Sequence, residues 1–399
     1  MLKKYSMFFV VAGMILIFCF LSTEVFADKC TGMVMPLLAY KNESGAESFL
    51  NNAMKKTFPL LMVKNENHII AKRQDSFVLK KIEPIELLTM MEAENMQESM
   101  ETISMPETGI ADTEGAHLEN YVVETDIPTE MSTTIINSAF QPHSLQRIID
   151  LSTLADYEAL VTNFYTIDAC AMVGSEFLDA ETLSQLDLRM TKESGGPQIL
   201  IYHTHSQEGF IDSVPGDEST TIWGVGEYLA KILEEEYGYE VLHHEGKYDV
   251  ETRDNAYSRA LPEVVQILEE NPSIQVIIDL HRDAVSDNYK LVMDLDGRPT
   301  ARFMFFNGVS CTKNTGKLSY LENDYLLENL AFSFQMKKVA EEYYPGLTRK
   351  NYIHGYRYNM HLLPRTTLIE LGAQNNTVEE AMNACDPIAH ILDMVLNGA

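Results

Sequence analysis

The sequence predicts an α/β domain whose mostly parallel central sheet is flanked by helices. Three observations carry that expectation. Short apolar runs bounded by Gly, Pro or polar residues alternate with longer stretches of helical periodicity, the pattern of strand–helix repeats. The chain of 399 residues is 45% hydrophobic, enough to fill a sizeable core. Several of the apolar runs also end in histidine or carboxylate, and ligands in such sheets sit at the carboxyl ends of strands.

Taken in chain order, the first element is apolar. Lys3 and Lys4 precede fifteen uncharged apolar residues, Met7 to Leu21, and the next charge is Glu24. Residues 1–27 therefore read as a membrane anchor, with a cleaved signal segment as the alternative. Basic residues before the run place the N-terminus inside the cell, so both readings export the remainder of the chain. The expected location is the cell membrane, single-pass, with the catalytic domain extracytoplasmic. Residues 28–143 read as an acidic, low-order linker. From Ile82 to Glu130 there is no Lys or Arg, while Asp and Glu recur, and such a stretch buries too little apolar surface to offset its ordering entropy.

A catalytic domain is expected over 144–397. Leu145, Ile148, Ile149, Leu151 and Leu154 suggest a helix. Gly195-Gly-Pro197 is a turn before a buried strand, Gln198 to Tyr202, that ends in His203. Helical periodicity over 222–237 stops at Gly238, and Tyr239 to His243 is a second strand. Ala256 to Glu270 is helical. Ile274 to Leu280 is a third strand ending at His281. Lys290 to Asp294 and Ala301 to Phe306 flank Asp296-Gly297 as a hairpin. Helix over 328–342, a buried strand over 366–371 and a final helix over 378–396 complete the domain.

Charge and motif content exclude several classes. The formal net charge is −29, against the clustered Lys and Arg that nucleic-acid binding needs, so no nucleic-acid partner is expected. The five cysteines, Cys19, Cys30, Cys170, Cys311 and Cys385, are far apart, odd in number and without CxxC spacing, which excludes a cysteine zinc site and a disulfide scaffold as expectations. Cys170, Cys311 and Cys385 read as small buried hydrophobes. Neither GxSxG nor HExxH occurs. Gly224-Val-Gly226 lies inside a helix and is no dinucleotide loop.

The polar groups at the strand ends are what remain. His203 and His205 close the first strand, with Glu208 three residues on; His281 closes the third; Glu370 lies within the last. Imidazole and carboxylate ligands with an open position suit catalytic Zn²⁺, and a further carboxylate beside it can move the proton. Glu370 is the strongest oddity, because carboxylates are rarely buried unpaired. His243, His244, His354 and the other histidines read as core or surface residues.

Several motifs, in order, resemble one family. They are Ile199-Leu-Ile-Tyr-His-Thr-His-Ser-Gln-Glu208, Ile277-Ile-Asp-Leu-His-Arg-Asp283, Tyr344-Pro-Gly-Leu347, Tyr358-Asn359 and Leu368 to Ala381. Over roughly residues 145–396 they resemble the stage II sporulation protein P family; residues 28–144 carry no matching motif. That family is similar in turn to zinc-dependent N-acetylmuramoyl-L-alanine amidases. The resemblance implies hydrolysis of the amide between muramic acid and the stem peptide of peptidoglycan, in forespore engulfment. It also implies action from the membrane, with stage II sporulation proteins D and M as partners. By position it implies His205 and His281 as zinc ligands and Glu370 as the catalytic glutamate. Arg253 would orient substrate or a ligand. The third ligand is expected to be Glu208, with Glu218 as the alternative, and His203 stands beside His205 as ligand or supporting residue. A zinc endopeptidase on peptidoglycan crosslinks and a non-catalytic peptidoglycan-binding scaffold are the competing functions.

Overall fold

The computed structural model describes residues 140–192 and 195–398, with Leu87, Thr89, Met90, Met91 and Glu94. All of them fall in one compact unit, Glu66–Ala399. The expected membrane segment lies outside the described residues. Among these, no helix is long and apolar enough to cross a membrane.

The core element is a seven-stranded sheet. Its strands are β1 (Tyr165–Ile167), β2 (Ile199–Tyr202), β3 (Val241–His243), β4 (Val276–Asp283), β7 (Phe303–Gly308), β10 (Asn351–His354) and β11 (Thr366–Ala373). Two small ribbons supply β5 (Val292–Leu295) with β6 (Arg298–Ala301), and β8 (Cys311–Thr312) with β9 (Gly316–Lys317). The order across the sheet is β1-β10-β7-β11-β4-β2-β3. Five of its six pairings are parallel; only β7 with β11 is antiparallel. The sheet therefore consists of two parallel blocks running in opposite directions.

Helices α1 (Tyr157–Phe164), α2 (Ala180–Gln185), α3 (Ile222–Glu235), α4 (Ala256–Glu270), α5 (Leu326–Tyr343) and α6 (Val378–Asn397) cover it. Strand side chains alternate between the two faces. Ile199, Ile201, Val276, Ile278, Ile369 and Leu371 join the larger cluster with α3, α5 and α6. Leu200, Tyr202 and Ile277 face α4 and the Leu362–Leu363 turn instead.

Most elements fall where the sequence places them, with three corrections. First, residues 144–150 are not helical. Gln146 and Arg147 amides donate to the Glu342 carbonyl, which straps the segment along the end of α5 and leaves Leu145 and Ile148 exposed. Second, the hairpin at Asp296-Gly297 closes with Arg298–Ala301, both turn residues taking positive φ. Phe303–Gly308 is a separate, fully buried strand of the main sheet. Third, within the stretch expected to be low-order, the described residues are helical and packed. Leu87, Met90 and Met91 lie on the α4 face, and Glu94 is buried against Arg357, whose Nε donates to its Oε1 at 2.6 Å. The rest of that stretch lies outside the described residues.

Candidate metal centre

The site forms where β2, β4 and β11 end. His205 and Glu208 lie on the turn after β2, and His281 and Glu370 face each other in register on adjacent strands. The parallel pairing of β4 with β11 places these two side by side, and a register shift after Glu370 re-aims the strand end.

His205, Glu208 and His281 each offer one ligand atom, and the three atoms lie within 4.8 Å of one another. His205 Nδ1 is 3.8 Å from Glu208 Oε1, and His281 Nδ1 is 3.6 Å from Glu208 Oε2. All three residues are buried. His205 Nδ1 has no hydrogen-bond partner, a cost a buried polar atom bears only when something else satisfies it. Two imidazoles and a carboxylate with an orphaned nitrogen fit a zinc ion.

The surroundings hold these groups in place. Asp279 lies two residues before His281 on the same strand face, and its Oδ1 is 2.7 Å from His281 Nε2. Thr204 donates to Asp279 from both its amide and its hydroxyl, at 2.9 and 2.6 Å. A carboxylate placed beside an imidazole in this way is the kind of support that orients a histidine where it holds a metal. Glu208 accepts from Arg253 Nη2 and from the Arg282 amide, each at 2.9 Å. Burial alone would neutralise Glu208, but His281, His205 and Arg253 hold its carboxyl well below the usual range. Burial pushes His205 down to about 3, with the His281 and Arg253 charges adding to the effect, so its ring is neutral. Burial opposes a charge on His281 too, yet Asp279 and Glu208 raise it well above the ordinary value.

Glu370 is different in kind. Its Oε2 is sealed from solvent without a hydrogen-bond partner. Burial, then the Asp283 carboxylate, push its pKa up to about 8, against the opposing pull of His281. Asp283 itself is tied to Arg349 Nη1 at 2.5 Å.

The structure places the alternatives, His203 and Glu218, in surroundings different from those of His205 and Glu208. His203 is fully buried and both its ring nitrogens are engaged: Nδ1 with the Leu280 carbonyl at 2.7 Å, Nε2 with His243 Nε2 at 2.9 Å. A Cβ at Gly226 would stand 2.5 Å from that Nε2, so the glycine makes room for the histidine pair. Glu218 sits in a surface turn, paired with Lys247, apart from the cluster. Arg253 is in the cluster, against Glu208.

Two contributors escape sequence reasoning. Asp279 could have been found from its two-residue spacing to His281. Tyr257, at the start of α4, packs its ring 5.7 Å from His205 and 6.5 Å from His281. Nothing in its local sequence marks it. The Tyr358-Asn359 motif acts through it, since Asn359 Nδ2 donates to the Tyr257 carbonyl at 2.9 Å.

The sequence pattern of the family "Stage II sporulation protein P (SpoIIP)" matches residues 49–393. The chain belongs to the stage II sporulation protein P family. The match begins well before residue 145, where recognisable motifs start, and takes in the helical residues around Glu94. Stage II sporulation protein P of Bacillus subtilis (strain 168) is 25% identical over 212 residues, covering 48% of this chain and 49% of that protein. The alignment thus spans about half the length of the curated relative. Among solved structures, the N-acetylmuramoyl-L-alanine amidase AmiC2 of Nostoc punctiforme aligns with a TM-score of 0.32 and 11% identity, over 51% of this chain and 97% of that one. The CwlD amidase from Clostridioides difficile, in complex with the GerS lipoprotein, aligns with a TM-score of 0.31 and 14% identity, over 50% and 95%. Likeness at this level is silent on activity.

Proposed function

We propose that this SpoIIP-family chain is a zinc-dependent hydrolase of peptidoglycan. It cuts the amide between N-acetylmuramic acid and the stem peptide during sporulation, from an anchored, extracytoplasmic position. One observation carries the reading: a buried His–Glu–His cluster with an orphaned imidazole nitrogen, beside a carboxyl whose pKa is pushed up to about 8.

His205, Glu208 and His281 would hold the ion. Zinc, when bound, polarises the scissile carbonyl and makes a nucleophilic water available near neutral pH. The remaining work belongs to the chain. Glu370 takes a proton from the attacking water and returns it to the departing L-alanine amine, so the amide C–N bond is replaced by a carboxylate and a free amine. A pKa near neutral suits a group that must both accept and release a proton. Asp279 keeps His281 oriented, and Arg253 fixes Glu208. Stage II sporulation proteins D and M are the partners the family resemblance implies.

The test is a digest of purified peptidoglycan with analysis of the released fragments. Free L-alanine amino termini, abolished by chelation and restored by zinc, are expected. Fragments cut within the peptide crosslinks instead would convert the reading to an endopeptidase. Full activity in metal-depleted protein would end the zinc reading.

A further inference from the structure

A second cluster stands outside the His–Glu–His site. Asp168 and Cys170 lie just after β1, and His354 is the last residue of β10, its parallel neighbour. Because β1, β10 and β7 run opposite to β11, β4 and β2, this cluster lies at the other edge of the sheet. On β7, Met304 is level with Glu370 and Gly308 with His354, so the two sites are four residues apart along that strand alone, roughly 13 Å.

The ligand atoms of Asp168, Cys170 and His354 lie within 4.8 Å of one another. Cys170 Sγ is 3.6 Å from His354 Nε2, and Asp168 Oδ1 is 3.8 Å from that same nitrogen. With Zn–S of ~2.3 Å and Zn–N or Zn–O of ~2.0–2.1 Å, a tetrahedral ion sets sulfur and nitrogen ~3.6 Å apart and nitrogen and oxygen ~3.4 Å apart. The observed edges meet these values within a few tenths of an ångström. At 3.8 Å the carboxylate is too far for a hydrogen bond to the imidazole. A nucleophilic triad is also excluded, because it needs thiol and carboxylate on opposite ring nitrogens, and here both face Nε2.

The opposite nitrogen is engaged by a supporting group. His354 Nδ1 lies 2.7 Å from the Tyr358 hydroxyl, and with Nδ1–H donating there the Nε2 lone pair faces the thiol and carboxylate. Tyr352 donates to Asp168 Oδ2 at 2.6 Å, and the Cys170 amide donates to Oδ1 at 2.7 Å. Phe306 stacks near the His354 ring, 6.2 Å between centroids. Gly355 leaves the space open: a Cβ there would come within 3.2 Å of Cys170 Sγ and 2.9 Å of Thr312 Cγ2. His354 is buried while Asp168 and Cys170 are half-buried, which gives an ion a way in from solvent.

We propose that Asp168, Cys170 and His354 form a second divalent-metal site of zinc type, which staples the edge strand β1 to β10. Thiolate with imidazole and carboxylate selects a borderline-soft ion such as Zn²⁺ over Mg²⁺ or Ca²⁺. The site does not depend on the proposed hydrolase activity.

Its test uses sulfur as a reporter, because the first site contains none. Metal-free full-length protein, kept reduced with a non-thiol reductant, is titrated with Co²⁺. A near-ultraviolet thiolate-to-cobalt charge-transfer band is expected. It should disappear in Cys170→Ser and persist in His205→Ala and Cys311→Ser. Bound zinc should fall from two ions per chain to one in either Cys170→Ser or His205→Ala. Should Cys170→Ser fail to fold, the wild-type chain decides: zinc should protect Cys170 from alkylation, as mapped by mass spectrometry. Absence of the band with unprotected Cys170 overturns the proposal, as does a band that survives in folded Cys170→Ser.

Discussion

Replacing Glu370 with glutamine separates the demands of catalysis from those of folding. The side chain keeps its shape and loses only its ionisation. Its carboxyl is raised from an ordinary 4.5 to about 8, chiefly by burial and by Asp283. The folded chain therefore holds a proton over that interval where the unfolded chain has released it. The stability this contributes is complete below about pH 4.5 and is lost as pH rises through about 8. At ~1.4 kcal/mol per pKa unit, ionisation costs the metal-free fold up to roughly 3 kcal/mol by pH 7 and roughly 5 kcal/mol beyond pH 8. Glutamine has no proton to lose. Denaturant melts of the metal-free full-length proteins should find Glu370→Gln close to wild type at pH 5 and more stable at pH 7 and above, with the gap widening to pH 8.5. Zinc should narrow the gap, since a nearby cation favours the carboxylate. Hydrolysis should meanwhile fall ~10²-fold or more, with metal content unchanged. A stability difference that is the same at pH 5 and pH 8.5 would refute the electrostatic account, and loss of zinc would make Glu370 a ligand.

Glu208→Ala should lose the zinc ion of the His205 site and keep the one at Cys170, while Glu218→Ala, which removes only a surface pair with Lys247, should leave metal content near wild type; bound zinc in both purified variants decides. Asp279→Asn should weaken zinc ~10–100-fold, read by competition with a chelating dye, because it removes the carboxylate that supports His281. Glu94→Ala strips a buried guanidinium of its carboxylate and should cost ~3–5 kcal/mol in denaturant melts, with Glu94→Gln costing less because the amide oxygen still accepts from Arg357 Nε. An unchanged midpoint in Glu94→Ala would mean that the segment does not dock in solution.

Sequence patterning located the elements that bury a continuous apolar run. The helix at Ala256–Glu270 has the bounds its periodicity implies, and the strands before His203 and His281 are shifted by only a few residues. It failed where burial is satisfied by polar pairing. β10, Asn351–His354, has only two apolar residues, Tyr352 and Ile353, between polar ends; Asn351 is buried where it donates to the Ser333 carbonyl, and Ser333 donates to Asn307. β1 has three residues and comes directly after a helix. At the site, the polar residues ending strands were visible one by one. Their companions were not: Tyr257 reaches the histidines only through the packing of α4. Cys170 looked inert because its partners are Asp168, two residues away, and His354, brought in by a parallel strand pairing that no local spacing encodes.

Within the seven-stranded sheet, the one antiparallel seam, between β7 and β11, has a consequence for how damage accumulates. It puts the strand ends of the two parallel blocks at opposite edges of one sheet, with the His–Glu–His cluster at one and the Asp–Cys–His cluster at the other. Substitutions separated by more than about 7–10 Å and sharing no partner usually add their effects. Here Tyr358 joins the two ends, its hydroxyl 2.7 Å from His354 Nδ1 and its ring 5.2 Å from that of Tyr257, so losses at the His205 end and at the Cys170 end should depart from a simple sum in a double variant.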